Sequence, residues 1–234
     1  MTRLSLAATA AAAVLAFSLP AGAAPFEVSS NGNYGYTNVT FHSPDTDSNG
    51  EGAKAGAFNV AADEFGGAFT AWCLDLAHNL NLPSFYEITT TPFSTTNPIS
   101  ATVQGTLKAL FDTAYSTLDK TNNAQSAGFQ LALWEILTET SGTYNVDQDQ
   151  GSFWINDANT SAARTAANGF LAGLGGDKRG DYTLTFLEST DGNQSLVTVD
   201  SPVAAVPLPA AGVLLFGALG GLGVMARRRK SAEA

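Results

Sequence analysis

The stretch TVQGTLKALFDTAYSTL, residues 102–118, decides the fold class. Val103, Leu107, Leu110, Phe111, Ala114 and Leu118 recur at helical spacing, so this segment is read as an amphipathic helix. Lys120 to Asn123 is a polar stop. A second helix is predicted over about 125–139, with Phe129, Leu133, Ile136 and Leu137 on one side. A third, weaker pattern covers about 157–171 and runs out at Gly173, Gly175 and Gly176. Upstream the chain changes character. Residues 34–41, 58–60, 69–76 and 85–91 are short β-rich runs separated by Gly- and Asn-rich turns. Downstream, 182–188 and 195–200 flank Asp191-Gly192-Asn193, a turn signal on a longer hairpin loop. Strands, then helices, then strands predict an α+β fold: an antiparallel β-sheet region with an inserted helical subdomain.

The two ends do not belong to that domain. Arg3 precedes a run from Leu4 to Leu19 that is almost wholly apolar, and Pro20 breaks it. Ala21-Gly22-Ala23 then offers the small residues that signal peptidase accepts, so residues 1–23 are expected to be a cleaved signal peptide. At the other end, 210–226 carries no charge, a length at the lower limit for a membrane span. Arg227, Arg228, Arg229 and Lys230 follow at once, and such a cluster stays on the cytoplasmic side. A C-terminal transmembrane helix with a translocated ectodomain, residues 24–205, is expected.

Val206-Pro207-Leu208-Pro209-Ala210, then the apolar span, then the basic end, resembles the VPLPA variant of the PEP-CTERM sorting tails of Gram-negative bacteria. The resemblance covers 206–230. It implies an exosortase-type sorting enzyme as partner, removal of the tail, and passage through an inner-membrane intermediate to the cell surface or extracellular matrix. The plain alternative is a permanent one-span anchor.

Charge narrows the partners. The chain has formal net charge −10. Between residues 24 and 205 the only basic residues are Lys54, Lys108, Lys120, Arg164, Lys178 and Arg179. Such a surface repels phosphate backbones, so nucleic acid is not an expected partner. The acidity reads as solubility. His42 and His78 are the only histidines and stand far apart, so no zinc site has its ligands. Asp45-Thr46-Asp47-Ser48-Asn49-Gly50 matches the first half of a calcium loop, but Gly56 stands where the bidentate acid belongs. No metal and no cofactor is expected. Ser residues lack a hydrolase context such as G-x-S-x-G.

Cys73 is the single cysteine. In an exported chain it must pair between molecules, stay buried, or do chemistry. It sits in Phe69-Thr70-Ala71-Trp72-Cys73-Leu74-Asp75-Leu76. A second segment, Ala127-Gly128-Phe129-Gln130-Leu131-Ala132-Leu133-Trp134-Glu135, falls on the second helix.

Together these segments resemble the thioester domains of surface adhesins from Gram-positive bacteria. That family carries an aromatic or aliphatic residue before a strand Cys, an acid two places on, and Gln-x-Ala-Ile-Trp on a later helix. Here Trp72, Cys73, Asp75, Gln130 and Trp134 match. Phe129 stands where the family has Thr, Leu133 replaces Ile, and the anchoring signal differs. The resemblance implies a Cys73–Gln130 thioester, a stored electrophile that captures a nucleophile on a surface or matrix target once, without turnover. The protein is then not an enzyme. Trp72 and Trp134 are expected to shield the bond, and Asp75, by strand alternation, to orient the thiol. Both Cys73 and Gln130 are expected to be replaceable without loss of fold, since neither buries much apolar surface. Two other readings stay open. One is a non-covalent surface or matrix structural protein of the same fold. The other is an enzyme using Cys73 as nucleophile with His78 as base.

Overall fold

The computed structural model describes residues 24–44, 49–94, 97–156 and 158–202. The expected signal peptide, the sorting motif Val206–Ala210 with its apolar span, and most of the Asp45–Gly50 segment lie outside them. Among the described residues no helix is long and apolar enough to cross a membrane.

The chain first lays down β1 (Phe26–His42), β2 (Asn49–Ala62), β3 (Gly67–Cys73), β4 (Ser84–Thr89) and a small hairpin of β5 (Phe93–Ser94) and β6 (Asn97–Pro98). Helices α1 (Ala101–Ala114) and α2 (Asn123–Thr138) follow, then β7 (Trp154–Ile155), α3 (Ser161–Ala172), β8 (Thr185–Ser189) and β9 (Leu196–Thr198). The strand order β2-β3-β9-β8-β4-β1, with β1 pairing back to β2, closes the sheet into an antiparallel barrel. β8 returns beside β4 in the register Tyr86↔Ser189 to Thr89↔Phe186, so the three helices are an insertion between two neighbouring strands. The α+β class and the inserted helices follow the sequence reading.

Two apolar clusters hold this arrangement. Phe26, Val28, Val60, Phe69, Ala71, Tyr86, Leu187 and Leu196 fill one. The larger one lies where strands meet helices and includes Phe41, Trp72, Cys73, Leu110, Phe111, Phe129, Leu133, Trp134 and Phe153. Two N-caps fix the helix starts. Ser100 Oγ accepts from Val103 N–H, and the Asn122 side chain accepts from Ala124 and Gln125 N–H.

Several boundaries differ from the sequence reading. β2 runs through Ala53-Lys54-Ala55-Gly56-Ala57, a run with little strand propensity, because pairing with β1 from Tyr36↔Gly56 to Phe41↔Glu51 decides it. β3 stops at Cys73 rather than continuing to Leu76. The first helix ends at Ala114 and tightens into a 3₁₀ turn over Tyr115–Thr117. α2 is not apolar on one side only. Twelve of its sixteen residues are buried, the pattern of a helix enclosed by its own domain.

Gly128 lets α2 be enclosed. A Cβ there would lie 2.6 Å from Ala166 Cβ and 2.9 Å from Ala163 O on α3. Both obstacles belong to a packed helix and cannot swing away. Gly128→Ala is expected to lower stability by about 1–3 kcal/mol, despite the better helix propensity of Ala. Urea unfolding of the variant checks it; unchanged or raised stability would mean that α2 and α3 separate freely.

Candidate functional site

β2 and β3 run paired from Ala62↔Gly67 to Phe58↔Ala71 and then part. Beyond that point α2 supplies the missing partners. Ala57 N–H donates to Ser126 Oγ at 2.9 Å. Cys73 N–H donates to Gln130 Oε1 at 3.0 Å, and Gln130 Nε2 donates to Cys73 O at 2.9 Å. Ser126, Gln130 and Trp134 follow one another at four-residue steps and so form one stripe of the helix. The Gln130 carboxamide acts as a short strand edge, satisfying both main-chain groups of Cys73 that a further strand would otherwise take. β9 pairs with β3 as well, with Leu196 opposite Cys73.

The structure thus brings Cys73 and Gln130 together, both fully buried. Replacement of Gln130, expected to leave the fold intact, nonetheless carries a cost in stability. The loss is polar rather than apolar, because two buried peptide groups depend on that side chain.

The thiol is held by main chain. Cys73 Sγ donates to Asp75 O at 2.8 Å and accepts from Asp75 N–H at 3.2 Å. Burial pushes the Cys73 thiol far above its usual range; the Asp75 main chain and the nearby Trp134 indole oppose this, and the Asp75 charge adds to it. The thiol is therefore protonated at neutral pH. Trp134 is 1 % exposed, and its indole N–H has no hydrogen-bond partner. The ring lies near enough to ease ionisation of the thiol, without the geometry of a hydrogen bond. Trp72 packs on Phe129 at 4.6 Å between ring centroids, and its indole lies beside Tyr115. Of the two tryptophans, Trp134 is the one placed against the sulfur.

Asp75 lies past the end of β3, so strand alternation does not govern it. It orients the thiol through its peptide, while its carboxylate turns to the following loop. Oδ1 accepts from Ala77 N–H at 2.9 Å, and Oδ2 is 2.6 Å from His78 Nδ1. Asp75 is 2 % exposed, whereas the His78 side chain is 40 % exposed. Gln194 Nε2 donates to the same Asp75 carbonyl at 2.9 Å, and Gln194 Oε1 is left without a partner.

A cleft of about 1010 Å³ opens beside these residues, between the β1–β2 hairpin and the loop 76–82. Trp134, His78 and Gln194 line it. His42 lies elsewhere, stacked on Trp154 at 3.7 Å. Among the described residues no three His, Cys, Asp or Glu side chains converge as metal ligands would.

Sequence reading passed over Ser126, Gln194 and Glu135. Glu135 follows Trp134 on α2 and is fully buried. Its Oε1 accepts from Asn145 N–H at 2.7 Å and its Oε2 has no partner. Burial pushes its carboxyl up to about 8, against the Asn145 hydrogen bond and with help from Glu139. The only sequence signal was an acid inside the apolar run Leu131–Leu137.

No protein-family model and no curated protein sequence matches the chain. Two solved structures are similar to it. One is the N-terminal domain of the Streptococcus pyogenes pilus tip adhesin Cpa: 14% identity, 73% of this chain and 95% of that chain, TM-score 0.40. The other is the N-terminal thioester domain of a surface protein from Clostridium perfringens: 9% identity, 70% of this chain and 98% of that chain, TM-score 0.36. Both overlaps are loose, and the chemistry of this chain rests on its own residues.

Proposed function

We propose that this is an exported surface domain of the adhesin type, in which Cys73 and Gln130 form an internal thioester that couples the protein to a nucleophile on its target. The observation that carries this is the two-point hydrogen bonding of the Gln130 carboxamide to the Cys73 main chain. A free thiol does not attack an ordinary amide. Held in fixed proximity, the same reaction gains roughly 7–11 kcal/mol. Attack of Cys73 Sγ on Gln130 Cδ places negative charge on Oε1, which already accepts from Cys73 N–H and would be stabilised there. The C–N bond then breaks, the thiol proton leaves with the nitrogen as ammonia, and the acyl thioester remains.

Capture reverses the roles. A nucleophile adds at Cδ, the C–S bond breaks, and Cys73 leaves as a thiolate beside Asp75 N–H and the Trp134 indole, taking up the nucleophile's proton. The target ends on Gln130, and no second turnover follows. The domain is thus a single-use coupling device rather than an enzyme.

The test is intact mass. The purified ectodomain should be lighter than its sequence by one ammonia. Methylamine should add to Gln130 and free the Cys73 thiol. Cys73→Ala and Gln130→Glu should each abolish the deficit and the adduct. A full sequence mass, with Cys73 alkylated only after unfolding, would instead establish the second reading, a non-covalent surface or matrix protein. That reading is favoured by the thiol's hydrogen bonds to the Asp75 main chain, which suit an inert buried cysteine. The sorting route belongs to the same proposal: export by residues 1–23, an inner-membrane intermediate held by the C-terminal helix, processing near Pro207-Leu208-Pro209 by an exosortase-type enzyme, and display at a Gram-negative surface or matrix.

A further inference from the structure

The cleft does not reach Cys73 or Gln130 directly, but Trp134, the ring placed against the Cys73 sulfur, forms part of its wall, and its composition selects among nucleophiles. Among the described residues no carboxylate lines it. Much of its polar wall is neutral amide, with Asn33, Asn38, Asn79 and Asn81 among the lining residues, and Lys54 is the lysine among them. A lysine ammonium or a polyamine entering this cleft faces Lys54 and meets no carboxylate among those lining residues. Carboxamides, by contrast, both donate to and accept from hydroxyl groups.

A hydroxyl must also lose its proton as it attacks, whereas a free amine attacks as it is. The structure holds a group for that step. His78 lines the cleft, and its Nδ1 is engaged by Asp75 Oδ2 at 2.6 Å, which leaves Nε2 as the basic ring nitrogen. The peptide of the same Asp75 holds the Cys73 thiol. The base and the leaving group are thus set by one residue.

We propose that this cleft is the acceptor groove for a neutral, hydroxyl-rich glycan, and that the Asp75–His78 pair takes the proton of the attacking hydroxyl, so that capture leaves an ester on Gln130. This rests on the thioester reading above. The balance is direct. The hydroxyl oxygen bonds to Gln130 Cδ, the C–S bond breaks, and the hydroxyl proton passes to His78 Nε2 and then to the departing Cys73 thiolate. Nothing is oxidised or reduced.

The experiment compares glycerol with methylamine as probes on the intact ectodomain, read by mass. Wild type and His78→Gln must first both show the ammonia deficit. In His78→Gln the rate of glycerol ester formation should fall by about 100-fold or more. Opening by methylamine should change less than about threefold, a contrast that a merely structural role would not produce. Lys54→Glu, which puts a carboxylate into the cleft, should raise capture of 1,4-diaminobutane relative to glycerol several-fold. Equal losses with both probes, no loss with either, or an unchanged diamine-to-glycerol ratio in Lys54→Glu would overturn the proposal while the thioester stands. A wild type without the ammonia deficit would remove the thioester and this inference together.

Discussion

Gln130→Ala should lower stability by about 2–5 kcal/mol relative to the fold that still carries the Gln130 carboxamide. The side chain is the partner of both Cys73 N–H and Cys73 O, at 3.0 and 2.9 Å, in a place that water does not reach. Each buried peptide group left without a partner costs about 1–3 kcal/mol, and the helix preference for Ala returns only a few tenths. The proper reference is Cys73→Ala, which cannot form a thioester either but keeps the carboxamide bridge. It should lose less, because it gives up only the thiol's own contacts. Gln130→Glu adds a pH signature. Its carboxylate would accept from Cys73 N–H but face Cys73 O with a second acceptor, so the buried acid must keep its proton to bond both. Its folded pKa is then raised, and its stability should drain away as pH rises. Urea unfolding of the three variants decides this. A Gln130→Ala protein as stable as Cys73→Ala would mean that the bridge contributes nothing.

Glu135→Gln should stabilise the protein at pH 8 by roughly 2–4 kcal/mol, at about 1.4 kcal/mol per unit of pKa separation. The wild-type carboxyl is raised from 4.5 to about 8 by burial. A raised folded value means that the neutral acid is the form the fold accepts. The benefit is complete below the unfolded value and is lost as pH climbs towards 8. Stability of the wild type should therefore fall between about pH 5 and 8, and the Gln variant should lack that slope. Asp112 and Glu139 have the opposite sign. Burial pushes each up, but hydrogen bonds to main-chain N–H groups, and for Asp112 the Lys108 and Lys178 ammonium groups, outweigh it and hold both low. Their contribution is present above the usual carboxylate range and lost in acid, a separate window. Thermal melts at pH 5 and pH 8 read the difference. A wild type equally stable at both, or a Gln variant no better at pH 8, would show Glu135 ionised at little cost.

What could be read from the chain was what depends on local pattern. The spacing of Val103, Leu107, Leu110 and Phe111 identified α1 because one face of a helix must be apolar to pack. Cys73 stood out as the single cysteine of a chain expected to be exported, and Gln130 through the resemblance of its segment, with Trp134 four residues on, to the thioester-domain pattern. The strand over Ala53–Ala57 was not legible, since its residues have no preference for the pleat and only the register with β1 puts them there. The Asp75–His78 pair escaped because β3 ends at Cys73, and a strand's alternation says nothing of the turn beyond it. Ser126, Gln194 and Glu135 were missed for a common reason. Each gains its meaning from a residue distant in the chain or from enclosure by α3 and the 140–153 loop, neither of which has a signature in sequence.

The partners in the carboxamide bridge are 57 residues apart, one on a barrel strand and one on a helix of the insertion. Nothing local can bring them together; the barrel must close and the insertion must dock first. An unfolded chain, on its way from synthesis to its final location, holds only an ordinary thiol and an ordinary amide. On the reading proposed above, the electrophile comes into being where the chain folds and nowhere earlier. Completion of the tertiary structure then serves as the safety catch of the weapon, arming it only after the journey through the cell's own amines and hydroxyls is over.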